Sequence, residues 1–138
     1  MRTVTFILAA WLLAIGSAYA ADLVVIANTG GGFDKLSRDE AVNIFMGRYK
    51  KLPSGITALP VDETGEKAVF YRALVNKELP EIQSYWARLV FSGQSSPPRL
   101  MDNANEVIET VANNKGAIGY IDRKMVNARV KVVLDLSR

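Results

Sequence analysis

Three carboxylates and a lysine crowd into the segment 62–67, which reads Asp-Glu-Thr-Gly-Glu-Lys. Paired carboxylates can serve as general acid and base, and Glu63 and Lys67 have the spacing of an ion pair on a helix. A hydrolase built on carboxylates alone needs two acids that face each other across a cleft. Asp62, Glu63 and Glu66 lie on one turn, so we expect no catalytic residue here and no enzyme.

Histidine and cysteine are both absent from the chain. Their absence excludes disulfides, thiolate metal sites, cysteine nucleophiles and a lipidated N-terminal cysteine. It also removes the commonest general base and the commonest zinc ligand. We therefore expect no metal site and no cofactor.

Alternating strands and helices must position the acidic turn. The sequence predicts strands over 22–27, 56–61, 117–121 and 130–136, and helices over 38–46, around 69–74, from Pro80 onwards and around 107–111. The continuous apolar run of the first strand is typical of a parallel sheet. The order β-α-β-α-α-α-β-β indicates an α/β domain, with a mostly parallel sheet flanked by helices.

Local signals mark several helix ends. Ser37 and Glu40 match a capping box, and Gly47 is a candidate C-cap. Asn103 or Asn105 can cap the last helix. Gly116 and Gly119 are expected to be structural, as a C-cap and a tightly packed strand glycine; likewise Tyr85 and Trp86 are expected in the core.

In open α/β sheets, ligands bind beyond the carboxyl ends of strands. Two segments fit this position: the loop 28–32, with Asn28 and Thr29 as candidate ligand contacts, and the turn 62–67. The loop contains Gly30-Gly31-Gly32 but lacks the Lys-Ser/Thr pair of a P-loop and the G-x-G-x-x-G spacing. We expect it to be mainly a flexible turn.

The first twenty residues are typical of a secretory signal peptide. A basic start is followed by the apolar run Val4–Ile15 and by the A-x-A site Ala18–Ala20. The 12-residue run is shorter than the ~20 residues of a spanning helix. Cleavage after Ala20 leaves one 118-residue domain, 21–138, and predicts a soluble periplasmic protein with no membrane span.

Without the leader the net charge is +2, from 16 basic and 14 acidic residues. A charge this small does not point to nucleic acid as a partner. The one basic cluster, Arg48, Lys50 and Lys51 around Tyr49, is expected to be a solvated loop.

Four segments resemble phosphate-type periplasmic substrate-binding proteins. Leu36–Arg48 resembles the family's "LS-x-x-x-L-x-x-IF-x-G" helix, Tyr85–Gly93 its "W…F-x-G" segment, and Gly116–Tyr120 its "GAIGY" strand. Ile56–Phe70 stands where the family has a strand, an Asp/Ser/Gly-rich turn and a helix. Order and spacing agree over about residues 23–122. The resemblance implies one lobe of a type 2 periplasmic binding protein, related to ABC transporters, whereas family members usually have two lobes.

The resemblance also implies an oxyanion site, with phosphate as the model ligand. The turn 62–67 corresponds to the family's "R-x-D-G-S-G-T", so Thr64 replaces the serine and Gly65 is retained. Glu66 replaces the final threonine, and no arginine precedes the turn. The candidate contacts here are Thr64, Gly65 and Lys67.

Two interpretations of this turn remain open. Thr64 or Asp62 can be an ordinary N-cap of the following helix, because carboxylates suit the positive end of a helix dipole. In that case the protein is a ligand-free interaction or sensory accessory protein of the cell envelope. On either interpretation, we expect a second copy of the chain or another envelope protein to dock on the surface that a second lobe would cover.

Overall fold

The computed structural model describes residues 22–137, so the leader predicted over 1–20 lies outside the described residues. The strands are β1 (Leu23–Asn28), β2 (Leu59–Glu63), β3 (Arg99–Met101), β4 (Ala117–Asp122) and β5 (Val130–Asp135). The helices are α1 (Arg38–Phe45), α2 (Lys67–Val75), α3 (Leu79–Phe91) and α4 (Ala104–Asn113), with a 3-10 turn over Arg123–Met125. The predicted α/β class and order are confirmed, with one added strand, β3.

The five strands form one sheet in the order β3-β2-β4-β1-β5. β2 is parallel to β3 and β4, whereas β1 is antiparallel to both β4 and β5. Four strands therefore run in one direction and β1 runs in the other, so the sheet is mostly parallel as predicted. The expectation that the first strand has parallel neighbours is wrong.

Helices cover both faces of the sheet, which explains why all six residues of β1 are buried. Leu23, Val25 and Ala27 pack in one core together with residues of α1, α2 and α3. Val24 and Ile26 pack in a second core with residues of α4. A strand covered on both faces has a continuous apolar run in either direction, so this pattern cannot reveal which way β1 runs.

The predicted helix ends are largely confirmed. Ser37 and Glu40 form the reciprocal capping box of α1. The C-cap of α1 is Met46, and Gly47, the candidate C-cap, is the next residue, with a φ of +74°. The Asn103 side chain accepts a hydrogen bond from the Glu106 N–H and caps α4. The C-cap of α4 is Asn114, so the C-cap role expected for Gly116 is wrong.

The two edges of the sheet at which the strands begin and end are named here by β2 and β4, and β1 runs opposite to both. The carboxyl edge holds the ends of β2 and β4, at Glu63 and Asp122, with the start of β1 paired alongside. The amino edge holds the starts of β2 and β4, with the end of β1 beside them, because Ala27 pairs with Ile118. The longest described helix, α3, has 13 residues, and no described helix has the length and apolar character to cross a bilayer.

Candidate functional site

The two predicted ligand segments lie at opposite edges of the sheet. The turn after β2 is at the carboxyl edge, whereas Asn28 ends β1 at the amino edge and Thr29 follows it. The Asn28 amide donates to the Val111 carbonyl at 2.8 Å and to the Ala112 carbonyl at 3.0 Å. Its oxygen accepts from the Gly30 N–H at 2.7 Å. Asn28 thus fastens the loop to the end of α4, and the structure does not bring it near Thr64, Gly65 or Lys67.

The turn that joins β2 to α2 is tied to the end of β3. The Thr64 N–H and hydroxyl both donate to the Met101 carbonyl, at 2.9 and 3.0 Å. Gly65 is exposed, and a Cβ atom added there would meet no atom within 4 Å. The backbone of Gly65 is therefore open to a ligand, whereas the Thr64 hydroxyl must turn away from Met101 to donate to one.

The start of α2 presents backbone donors to the same edge. The Phe70 N–H donates to the Glu66 carbonyl at 2.9 Å and closes the first turn of the helix. The N–H groups of Lys67, Ala68 and Val69 precede this bond and have no carbonyl partner within the helix. Donors of this kind can bind an anion.

The expectation that Thr64 or Asp62 caps this helix is wrong. The N-cap is Glu66, and its side chain makes no capping hydrogen bond. β2 continues through Glu63, two residues beyond the predicted end of the strand, so Asp62 lies within the strand. The Thr64 side chain is engaged by Met101 instead.

Asp62 points into the protein interior and is only 2% exposed. Its Oδ1 accepts hydrogen bonds from the hydroxyls of Tyr71, at 2.9 Å, and Tyr120, at 3.0 Å. Lys67 Nζ lies 3.9 Å from Oδ2. Desolvation by burial raises the pKa of Asp62 and outweighs the opposing effects of the two tyrosines and the lysine.

The two tyrosines were not anticipated as partners of the acidic turn. Tyr71 follows Phe70 on the buried side of α2, and Tyr120 lies in the buried strand β4. Burial and the neighbouring Asp62 raise the pKa of both phenols, so both remain protonated donors. Both tyrosines stand in predicted buried elements, and a buried tyrosine hydroxyl usually has a hydrogen-bond partner, so the sequence could have indicated that each needs one.

Three other carboxylates surround the start of α2. Burial raises the pKa of Glu63, and repulsion from Glu66 and Asp122 raises it further. Burial and Asp122 likewise raise the pKa of Glu66. Glu63 Oε2 is buried and has no hydrogen-bond partner among the described residues. Asp122 is the last residue of β4. It is distant in sequence from the turn, so the sequence around the turn could not predict that it lies there.

Within residues 22–137, no group of three or more histidine, cysteine or carboxylate side chains is arranged to hold a metal ion. The carboxyl edge thus combines free backbone donors and one lysine with acids that repel an anion. Protonation of the glutamates would reduce the repulsion that an anion meets at this edge.

Comparison with solved structures shows the fold that the sequence motifs indicated. An ABC-type phosphate transport receptor from Vibrio cholerae superimposes with a TM-score of 0.64 at 14% identity, over 81% of this chain and 45% of that one. A putative phosphate ABC transporter substrate-binding protein from Clostridium perfringens, solved with bound phosphate, gives 0.62 at 16% identity, over 81% and 44%. PstS from Borrelia burgdorferi gives 0.59 at 13% identity, over 82% and 46%.

The chain therefore spans less than half the length of these three proteins. The superposition covers most of the described residues, so this chain has the fold of that part of a phosphate receptor. No protein-family model matches the sequence. No curated protein matches it either.

Proposed function

We propose that this protein is a periplasmic solute-binding module that works as phosphate receptors do, by binding a small oxyanion without transforming it. The observation that carries the proposal is the superposition of 81% of the chain on phosphate receptors, including one solved with phosphate bound. The leader predicted over 1–20 would direct the module to the periplasm.

The proposed binding site is the carboxyl edge at the start of α2. The open backbone at Gly65 and the N–H groups of Lys67 and Ala68 supply donors, and the Lys67 ammonium supplies positive charge. Glu63, Glu66 and Asp122 oppose the anion, so we expect weak binding near neutral pH.

A single edge gives the anion only one wall. The second wall would come from another copy of this chain or from an envelope protein that docks on the carboxyl edge. Closure between two walls excludes water and strengthens the hydrogen bonds to the anion.

Sulfate is the best probe, because its charge does not change between pH 5 and pH 7. Purified protein obtained by expression of the full chain would be titrated with sulfate, phosphate and molybdate by calorimetry. Amide chemical shifts of Gly65 and Lys67 would locate the binding. We expect tighter sulfate binding at pH 5 than at pH 7, because protonation of Glu63 and Glu66 removes repulsion.

Variants that each remove a single charge test whether Glu66 and Lys67 belong to the binding site. Glu66→Gln should tighten sulfate binding at pH 7 by several-fold, and Lys67→Gln should weaken it. Lys77→Gln is the control, since it removes an exposed lysine that pairs with Glu81. The proposal fails if no oxyanion binds at either pH, or if shifts appear away from the turn.

A further inference from the structure

A separate cavity of about 740 Å³ lies at the amino edge. Its walls come from the segment that follows α1, the end of α3, the loop 93–97 and the starts of β2 and β3, at Leu59 and Arg99. Because β2 and β3 are parallel, the cavity and the turn 64–67 lie at opposite ends of these strands.

The described residues leave the positive charge in this cavity without a carboxylate partner. Lys50 and Arg99 line it, and no aspartate or glutamate does. Lys50 Nζ donates to the Ser95 hydroxyl at 2.5 Å, which is a neutral partner. Among residues 22–137, neither Lys50 nor Arg99 forms an ion pair, whereas Arg72 and Lys131 each do.

The rest of the lining is apolar or weakly polar. Ile44, Leu59, Pro60 and Val90 contribute aliphatic surface. Trp86, a residue that is 6% exposed, also lines the cavity. A Cβ atom at Gly47 would lie 2.8 Å from the indole ring of Trp86. Any residue other than glycine at this position would therefore clash with the ring.

We propose that this cavity binds an organic anion in which a carboxylate is joined to an apolar body. The guanidinium of Arg99 can hold a carboxylate through two hydrogen bonds, and Lys50 adds a second cation. The volume suits a small organic molecule, since ligand pockets measure about 300–1,000 Å³. An inorganic oxyanion would satisfy the cations but leave most of the volume and the apolar walls unused.

The Trp86 indole resonance in ¹H–¹⁵N spectra reports on the floor of the cavity. The protein would be titrated with 3-phenylpropanoate, with its neutral amide and with inorganic phosphate, and Trp86→Phe would assign the resonance. We expect a saturable shift with the carboxylate and at least tenfold weaker binding of the amide, because the amide lacks the charge that Lys50 and Arg99 neutralise.

Charge variants complete the test. Lys50→Gln and Arg99→Gln should each weaken 3-phenylpropanoate binding about tenfold. Lys124→Gln removes an exposed lysine at the carboxyl edge and should leave it unchanged. The proposal is overturned by no shift with the carboxylate, by equal affinity for the amide, by phosphate binding as tightly as the carboxylate, or by unchanged affinity in both cavity variants. Sulfate binding at Gly65 is measured in a separate titration, so the cavity proposal and the oxyanion proposal can each be disproved independently of the other.

Discussion

At the scale of single residues, Asp62 is the least expected feature of the molecule. A buried carboxylate costs several kcal/mol, on the order of what a small domain gains in net stability, unless hydrogen bonds compensate it. Tyr71 and Tyr120 supply two such bonds, to the same oxygen. The carboxylate that the local sequence places at the surface thus links β2, α2 and β4.

The raised pKa values of Asp62, Glu63 and Glu66 predict how stability depends on pH. A carboxyl whose pKa is higher in the folded state stabilises the fold below its unfolded pKa of about 4, and this contribution is lost as pH rises. We expect the free energy of unfolding to fall as the pH rises above about 4 and these carboxyls ionise, as measured by urea denaturation.

The same measurement on Glu63→Gln should show a weaker fall, because the variant removes one of the three titrating groups. The ion-paired carboxyls Glu78 and Glu109 have lowered pKa values and act in the opposite sense, but only in more acidic solution. Identical pH dependence in the variant and the parent protein would contradict the role given to Glu63.

Part of the proposed site can be predicted from the sequence, and the remaining residues cannot, for a physical reason. Thr64, Gly65 and Lys67 lie within four consecutive residues, so a local motif can identify them. Asp122 and Tyr120 reach the same edge only through the pairing of β4 in the sheet. Long-range pairing of this kind leaves no trace in the spacing of a single segment.

At the scale of elements, burial could be predicted but strand direction could not. β1 has the same apolar run whether its neighbours are parallel or antiparallel. β3 escaped prediction because it has three residues, of which Arg99 and Leu100 are exposed. The role of β3 is evident only from the structure, in which the carbonyl of its last residue, Met101, accepts both hydrogen bonds from Thr64.

Close packing of α4 on the sheet depends on Gly119 in β4. A Cβ atom there would lie 2.7 Å from Val61 Cγ2 and 2.8 Å from Val107 Cγ1. We expect Gly119→Ala to destabilise the protein by about 1–3 kcal/mol, because neither the sheet nor α4 has space for the methyl group. Chemical denaturation would measure the change.

Gly65→Ala is the matched control for this prediction. A Cβ atom at Gly65 meets nothing within 4 Å, so its effect on stability should stay within about 0.5 kcal/mol. Equal losses in the two variants would show that backbone freedom, rather than contact with α4, requires the glycine at position 119.

At the scale of the whole molecule, the fold is that of less than half of a phosphate receptor. The motifs revealed this likeness because each marks an element, and the elements appear in the same order. They could not reveal what forms the second wall of the proposed site, since that surface does not belong to the described residues.

If two copies form the two walls, sulfate should link them. We expect light scattering after size exclusion to show a larger dimer fraction with sulfate at pH 5 than without it. Lys67→Gln should abolish the effect of sulfate, whereas Lys77→Gln should retain it. A strict monomer under every condition would remove the dimer and leave a different envelope protein as the partner.

The two ends of the described chain meet at one place, and this has a practical consequence. The Leu136 N–H donates to the Leu23 carbonyl at 3.1 Å, and Arg123 bonds both Asp22 and Asp135. A bead, tag or sensor surface attached next to Asp22 or Ser137 would therefore be anchored at the carboxyl edge, the same edge of the sheet as the turn 64–67. Ser54→Cys would give an exposed attachment point at the amino edge, and its thiol would be unique because the natural chain has no cysteine to compete for the label.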